Sequence, residues 1–94
     1  MPAATRLGDK TTGHCFYPVP LISASGNVFI NGRGAGRVGD SYPPHKCGKA
    51  VHQGKLGRGS RSVFINGRAA GRVGDKLTCG DTVGVGSNNV FIGG

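Results

Sequence analysis

The chain has 94 residues, 36% of them hydrophobic, with no Trp and 19 Gly; that is enough for one small domain, residues 1–94, with a modest core. Its formal charge of +8, from 12 Lys and Arg against four acids that are all Asp, favours acidic partners, but the cations are spread along the chain instead of forming a nucleic-acid-binding run. No basic-then-apolar leader and no long apolar run occurs, so synthesis in the cytosol without a cleaved signal or membrane span is expected. There the three Cys, an odd number that suits no complete disulfide framework, stay reduced and free to bind metal.

In chain order, Pro2-Ala3-Ala4-Thr5 leads to Arg6-Leu7-Gly8-Asp9, and Ala24-Ser25 leads to a longer phrase, Asn27-Val28-Phe29-Ile30-Asn31-Gly32-Arg33. That phrase runs on through Gly34-Ala35-Gly36-Arg37-Val38-Gly39-Asp40. It returns 35 residues later, from Ser62-Val63-Phe64-Ile65-Asn66-Gly67-Arg68 to Arg72-Val73-Gly74-Asp75. A third copy is split between the ends of the chain. Its first half is Asn89-Val90-Phe91-Ile92-Gly93-Gly94 and its second half is Arg6-Leu7-Gly8-Asp9.

Each full copy predicts a β-hairpin, because Val-Phe-Ile is strand-prone and Asn-Gly between strand-like runs specifies a tight type I′ turn. The split copy is completed only if the two termini pair. The expected fold is therefore all-β: a small pseudo-threefold ring of hairpins, closed by its N- and C-terminal segments, with no strand edge left open. Phe29, Phe64 and Phe91 hold equivalent positions and are expected to meet near the axis as core. The Arg6/Asp9, Arg37/Asp40 and Arg72/Asp75 pairs are expected to be architectural.

After each Gly-Asp comes a metal-ligand type. His14 and His45 follow Asp9 and Asp40 by five residues, and Cys79 follows Asp75 by four. Threefold equivalence predicts that these converge, and His52, in the loop between the first two copies, supplies a fourth donor. Zinc takes imidazole and thiolate together in a closed tetrahedral site, which suits it to stapling loops from different repeats. Cys15 and Cys47 lie close to proposed ligands in sequence and are rival donors, read here as non-ligands. With no Glu and most Asp committed to the repeat, the metal is expected to be structural and the protein not an enzyme.

Pro2-Ala3-Ala4-Thr5-Arg6 resembles the namesake opening of the PAAR-repeat proteins, with Thr5 inserted before the Arg. Gly67-Arg68-Ala69-Ala70-Gly71-Arg72-Val73-Gly74-Asp75 and Asn89-Val90-Phe91-Ile92-Gly93 resemble its later phrases, so the likeness covers nearly the whole chain. The resemblance implies a sharp monomeric cone, seated by its base on the trimeric spike of a type VI secretion system or related contractile machine. It implies one zinc near the point, held by His14, His45, His52 and Cys79, and here a stand-alone cap that only transiently touches the target membrane. The machine would deliver it outside the cell or into a target cell.

Two rival functions are weaker. A zinc-dependent nucleic-acid-binding module fits the charge, but there are six aromatic residues and no recognition-helix pattern. A hydrolase using Cys15 with His14 is disfavoured because adjacent strand residues face opposite ways.

Overall fold

The computed structural model describes residues 1–13, 17–47 and 50–94, and for His45, Cys47, Ala50 and His52 it describes the backbone. Among the described residues there is no helix. The strands are β1 (Phe29–Ile30), β2 (Arg33–Gly34), β3 (His45–Cys47), β4 (Ala50–His52), β5 (Phe64–Ile65) and β6 (Arg68–Ala69). They pair as three antiparallel hairpins, β1 with β2, β3 with β4 and β5 with β6. The all-β expectation holds.

The Asn-Gly turns are as the residues require. Asn31 and Gly32 have φ of 54° and 78°, and Asn66 and Gly67 have 55° and 76°, the paired positive values of a type I′ turn. The hairpin β3–β4 lies where the sequence suggested only a long loop, so His52 belongs to a strand.

Three antiparallel bridges close the ring: Arg6 with Ala35, Arg37 with Ala70, and Arg72 with Ala4. Each joins one copy to the next, and the third returns to the start. The split copy is completed as expected, with Ala3 bridged to Phe91 and the Ile92 amide donating to the Pro2 carbonyl at 2.8 Å. On the axis the backbone makes a second closed circuit. Thr5 N donates to Gly71 O at 3.1 Å, Gly71 N to Gly36 O at 2.9 Å, and Gly36 N to Thr5 O at 2.9 Å.

Thr5 is therefore not an insertion; it stands where the other copies have glycine. A Cβ at Gly71 would lie 2.5 Å from Leu56 Cδ1 and 3.0 Å from Thr5 Cγ2. The axis holds one side chain of this size, and Thr5 supplies it.

The core has two tiers. One comprises Ile30, Ile65 and Ile92 with Ala4, Ala35 and Ala70, three equivalent pairs. Here the sequence reading is corrected: Phe29, Phe64 and Phe91 are 60%, 60% and 51% exposed, while the neighbouring Ile residues are buried. Successive strand residues face opposite ways, so only one of the two can face the axis. A ring lined by three Ala has room for Ile, and the phenylalanines are left outside.

The second tier is Val19, Leu21, Tyr42, Leu56, Leu77 and Val83. It is held by hydrogen bonds repeated three times, from Leu21, Leu56 and Val83 N to Asp9, Asp40 and Asp75 O, at 3.0, 2.9 and 3.0 Å. Tyr42 is fully buried, and its hydroxyl has no partner among the described residues. Burial, and then the carboxylates of Asp9, Asp81, Asp40 and Asp75, push the phenol well above its ordinary range.

Removing a buried hydroxyl that has no partner among the described residues gives up no hydrogen bond seen there, so Tyr42→Phe is expected to be as stable as wild type at pH 7, or more stable by about 1 kcal/mol. The folded pKa lies above the unfolded one. The stability linked to the neutral phenol is thus intact below about pH 10 and lost as pH rises from there towards the folded value. Thermal melts across that range should show a smaller alkaline loss in the variant; equal losses would mean that another group titrates.

Candidate functional site

The three Arg-x-Gly-Asp corners form one device. Gly8, Gly39 and Gly74 take φ of 88°, 92° and 93°, which lets each Asp fold back onto its own Arg. Asp9, Asp40 and Asp75 are buried and pair with Arg6, Arg37 and Arg72 at 2.8, 3.0 and 3.1 Å. A second arginine from the next copy joins two of them, Arg33 at Asp9 and Arg68 at Asp40. The third copy has Pro2 where an arginine would stand, and Asp75 borders a cleft of about 390 Å³ lined by Arg58, Arg61, Arg72 and Gly94. These pairs are architectural, as the sequence implied.

Above the corners the chain rises in three arms with equivalent hydrogen bonds. Thr11, Tyr42 and Leu77 N donate to Val19, Gly54 and Asp81 O at 3.0, 2.9 and 2.9 Å. Of the predicted metal ligands, Cys79 and the backbones of His45 and His52 belong to these arms. His14, and the rival Cys15, lie outside the described residues. The backbone of His45 is the cross-strand partner of that of His52 in the β3–β4 register. Lys46 and Val51, the adjacent pair of that register, are exposed.

Cys79 is a free, half-buried thiol in the tight turn between Leu77 and Asp81. Its Sγ lies 2.7 Å from where a Cβ on Gly54 would be, and Gly54 is two residues beyond His52 in the chain. The absence of a Gly54 side chain thus lets the thiol pack against the His52 arm. Among the described residues no three His, Cys, Asp or Glu group as a cation site, and three of the four proposed donor side chains fall outside that description. The donor chemistry, imidazole with thiolate, is of the kind that zinc takes, and Cys79 is the one proposed donor whose side chain is described.

Sequence reasoning missed Asp81. It is fully buried and occupies the repeat position of Val19 and Gly54, a departure visible only once the arms are aligned.

The outer surface of the hairpin ring carries the three exposed Phe at equivalent places, with Val28 and Val63 partly exposed beside them. A closed ring with threefold-related aromatic positions, corners of Arg-x-Gly-Asp and a split terminal copy is a specific pattern, and the family profile described as PAAR motif matches residues 7–85. The chain belongs to the PAAR motif family. PAAR-motif proteins are structural components at the spike tip of type VI secretion systems, and they generally bind zinc. A search of curated proteins finds no match to the chain. No helix among the described residues is long and apolar enough to cross a membrane.

Proposed function

We propose that this chain is a cap that seals and sharpens a trimeric β-helical spike, in a type VI secretion system or a related contractile machine. The observation that carries the reading is the ring itself. One chain presents two equivalent hairpins, β1–β2 and β5–β6, and the paired termini in the third place, each with an exposed Phe, and so offers a true threefold partner much the same contact three times over. Large exposed aromatics are what an interface buries at its centre. The mechanism is mechanical: the base docks, the arms converge away from it, and force is concentrated on the target envelope. No catalytic role is assigned, and contact with the target membrane is transient.

In this reading His14, His45, His52 and Cys79 hold one zinc between the arms. When bound, the ion cross-links segments that have little core of their own to fix them. The protein's share is to bring the donors together, through the β3–β4 register and the packing of Cys79 on Gly54.

The test is co-purification with the trimeric spike of the same source. Phe29→Asp with Phe64→Asp is expected to weaken binding at least about 100-fold, since buried aromatic anchors are worth roughly 2 kcal/mol each, with the melting temperature kept because both rings are exposed. Undiminished binding would remove these residues from the docking face. Spike binding should depend little on salt, whereas a nucleic-acid-binding module would lose affinity steeply as salt rises.

A further inference from the structure

The threefold pattern fails at one corner, in shape and in charge. Among the described residues Asp75 pairs with one arginine where Asp9 and Asp40 each pair with two. A Cβ on Gly8 would meet the Arg33 guanidinium at 3.6 Å and one on Gly39 the Arg68 guanidinium at 3.0 Å, whereas one on Gly74 would meet nothing within 4 Å. Beside Asp75 lies the cleft of about 390 Å³, lined by Arg58, Gly59, Arg61, Arg72, Asp75 and Gly94. That volume falls at the small end of the range for ligand sites.

Arg72 and Asp75 are spent on each other. Asp75 Oδ2 accepts from Arg72 N at 2.9 Å and Nε at 3.1 Å, and Oδ1 accepts from Nη2 at 3.1 Å. Arg72 Nη1 also donates to the Gly93 carbonyl and Nη2 to that of Gly59, both at 3.3 Å. Arg58 and Arg61 are exposed, and among the described residues their guanidiniums make no hydrogen bond and no ion pair. The repeat does not call for them either. Ser23 and Gly26 hold their places in the first copy, and Val85 and Asn88 in the split one. Two uncommitted guanidiniums thus stand at a cleft whose own acid is already neutralised.

We propose that this cleft is a docking site for an acidic segment of a partner protein, with Arg58 and Arg61 together receiving its carboxylates. Guanidinium and carboxylate pair through two parallel hydrogen bonds, which gives direction as well as attraction. Nucleic acid is a poorer match. Its phosphates need a track of cations, whereas here the Asp75 carboxylate forms part of the wall and the other cations are spread along the chain. The exposed Phe positions occur three times, but Arg58 and Arg61 have no counterparts, so the segment binds once per chain, on one flank. The inference needs neither the cap nor the zinc reading.

The experiment titrates the full chain with a short oligoglutamate peptide blocked at both ends, at about 0.15 M salt. Binding is read by calorimetry and by the amide resonances of Arg58, Gly59 and Arg61. Wild type is compared with Arg58→Gln/Arg61→Gln and with Lys10→Gln/Lys55→Gln, which removes the same charge from exposed lysines outside the cleft lining. Wild type is expected to bind saturably and to shift those three amides. The arginine pair should weaken binding at least about 10-fold, since hydrogen bonds between charged groups are the strong ones. The lysine pair should stay within about twofold, because distant exposed charges are screened. All four side chains are exposed, so both variants should melt as wild type does.

Equal losses in the two double variants would reduce the effect to net charge and overturn the site. Shifts that avoid the cleft, or no saturable binding by wild type, would overturn it as well. Inorganic phosphate that displaces the peptide at equal concentration would make the ligand a free anion. An oligonucleotide held by the same arginines more tightly than the peptide would make it nucleic acid. Either result sinks the docking proposal.

Discussion

Asp40→Ala is expected to destabilise the folded chain by about 3–5 kcal/mol, the cost of leaving one member of a buried ion pair without its partner. Asp40 accepts from Arg37 N at 2.8 Å, Nε at 3.0 Å and Nη2 at 3.0 Å, from Arg68 Nη2 at 3.2 Å and from Ser23 Oγ at 3.3 Å. Its removal strands a guanidinium that is only 12% exposed and unties the turn that sends the first copy into its arm. Asp75→Ala should cost less by about 1 kcal/mol, because among the described residues no second arginine pairs with Asp75 and its cleft admits water to Arg72. Urea denaturation of both variants measures the difference. An Asp75 variant as damaged as the Asp40 one would show that the second arginine and the cleft do not matter.

Loss of the proposed zinc should have the larger effect. Elemental analysis of protein purified without chelator or added metal is expected to find one zinc per chain; iron in its place would correct the metal and leave the site. Structural zinc contributes on the order of 10 kcal/mol to folding, as much as the whole stability of a small domain. Chelation, or His52→Ala, is therefore expected to abolish the cooperative melt of the arms, and the effect of chelation should be reversed by zinc. Folded, metal-free wild-type protein with an unchanged melt would sink the staple, while the ring would still stand on its own hydrogen bonds.

The two predictions divide the molecule as the forces do. The hairpin ring is held by backbone circuits, by the Ile–Ala tier and by buried ion pairs, all of which repeat. The arms repeat their lower hydrogen bonds but diverge above Asp9, Asp40 and Asp75, in length and in residue type. That is where a cross-link has most to add, since short segments with few apolar neighbours lose more conformational entropy than their burial returns.

Much of the ring was legible in the residues. Asn31-Gly32 and Asn66-Gly67 dictate type I′ turns because both residues must take positive φ, and the 35-residue offset makes the hairpins equivalent. The split copy dictates that the termini meet, for otherwise Val90-Phe91-Ile92 would have no partner strand. The pairing of each Arg with the Asp three residues on follows from the Gly between them. The turns and the Arg–Asp pairs need no distant part of the chain to be placed first, and the meeting of the termini follows from the repeat alone.

Other features were decided only by the tertiary structure. A repeat shows that Phe29, Phe64 and Phe91 are equivalent but not which way they face. The narrowness of an axis lined by Ala4, Ala35 and Ala70 chose Ile and left Phe outside. Thr5 passed for an insertion until the circuit with Gly36 and Gly71 showed that it fills the one place on the axis open to a side chain. Nothing in the sequence singled out Asp81, and only the alignment of the arms placed it at the buried level of Val19 and Gly54. The physical reason is common to all three: local sequence determines turns and strand propensity, whereas which face is buried depends on how much room the assembled ring leaves.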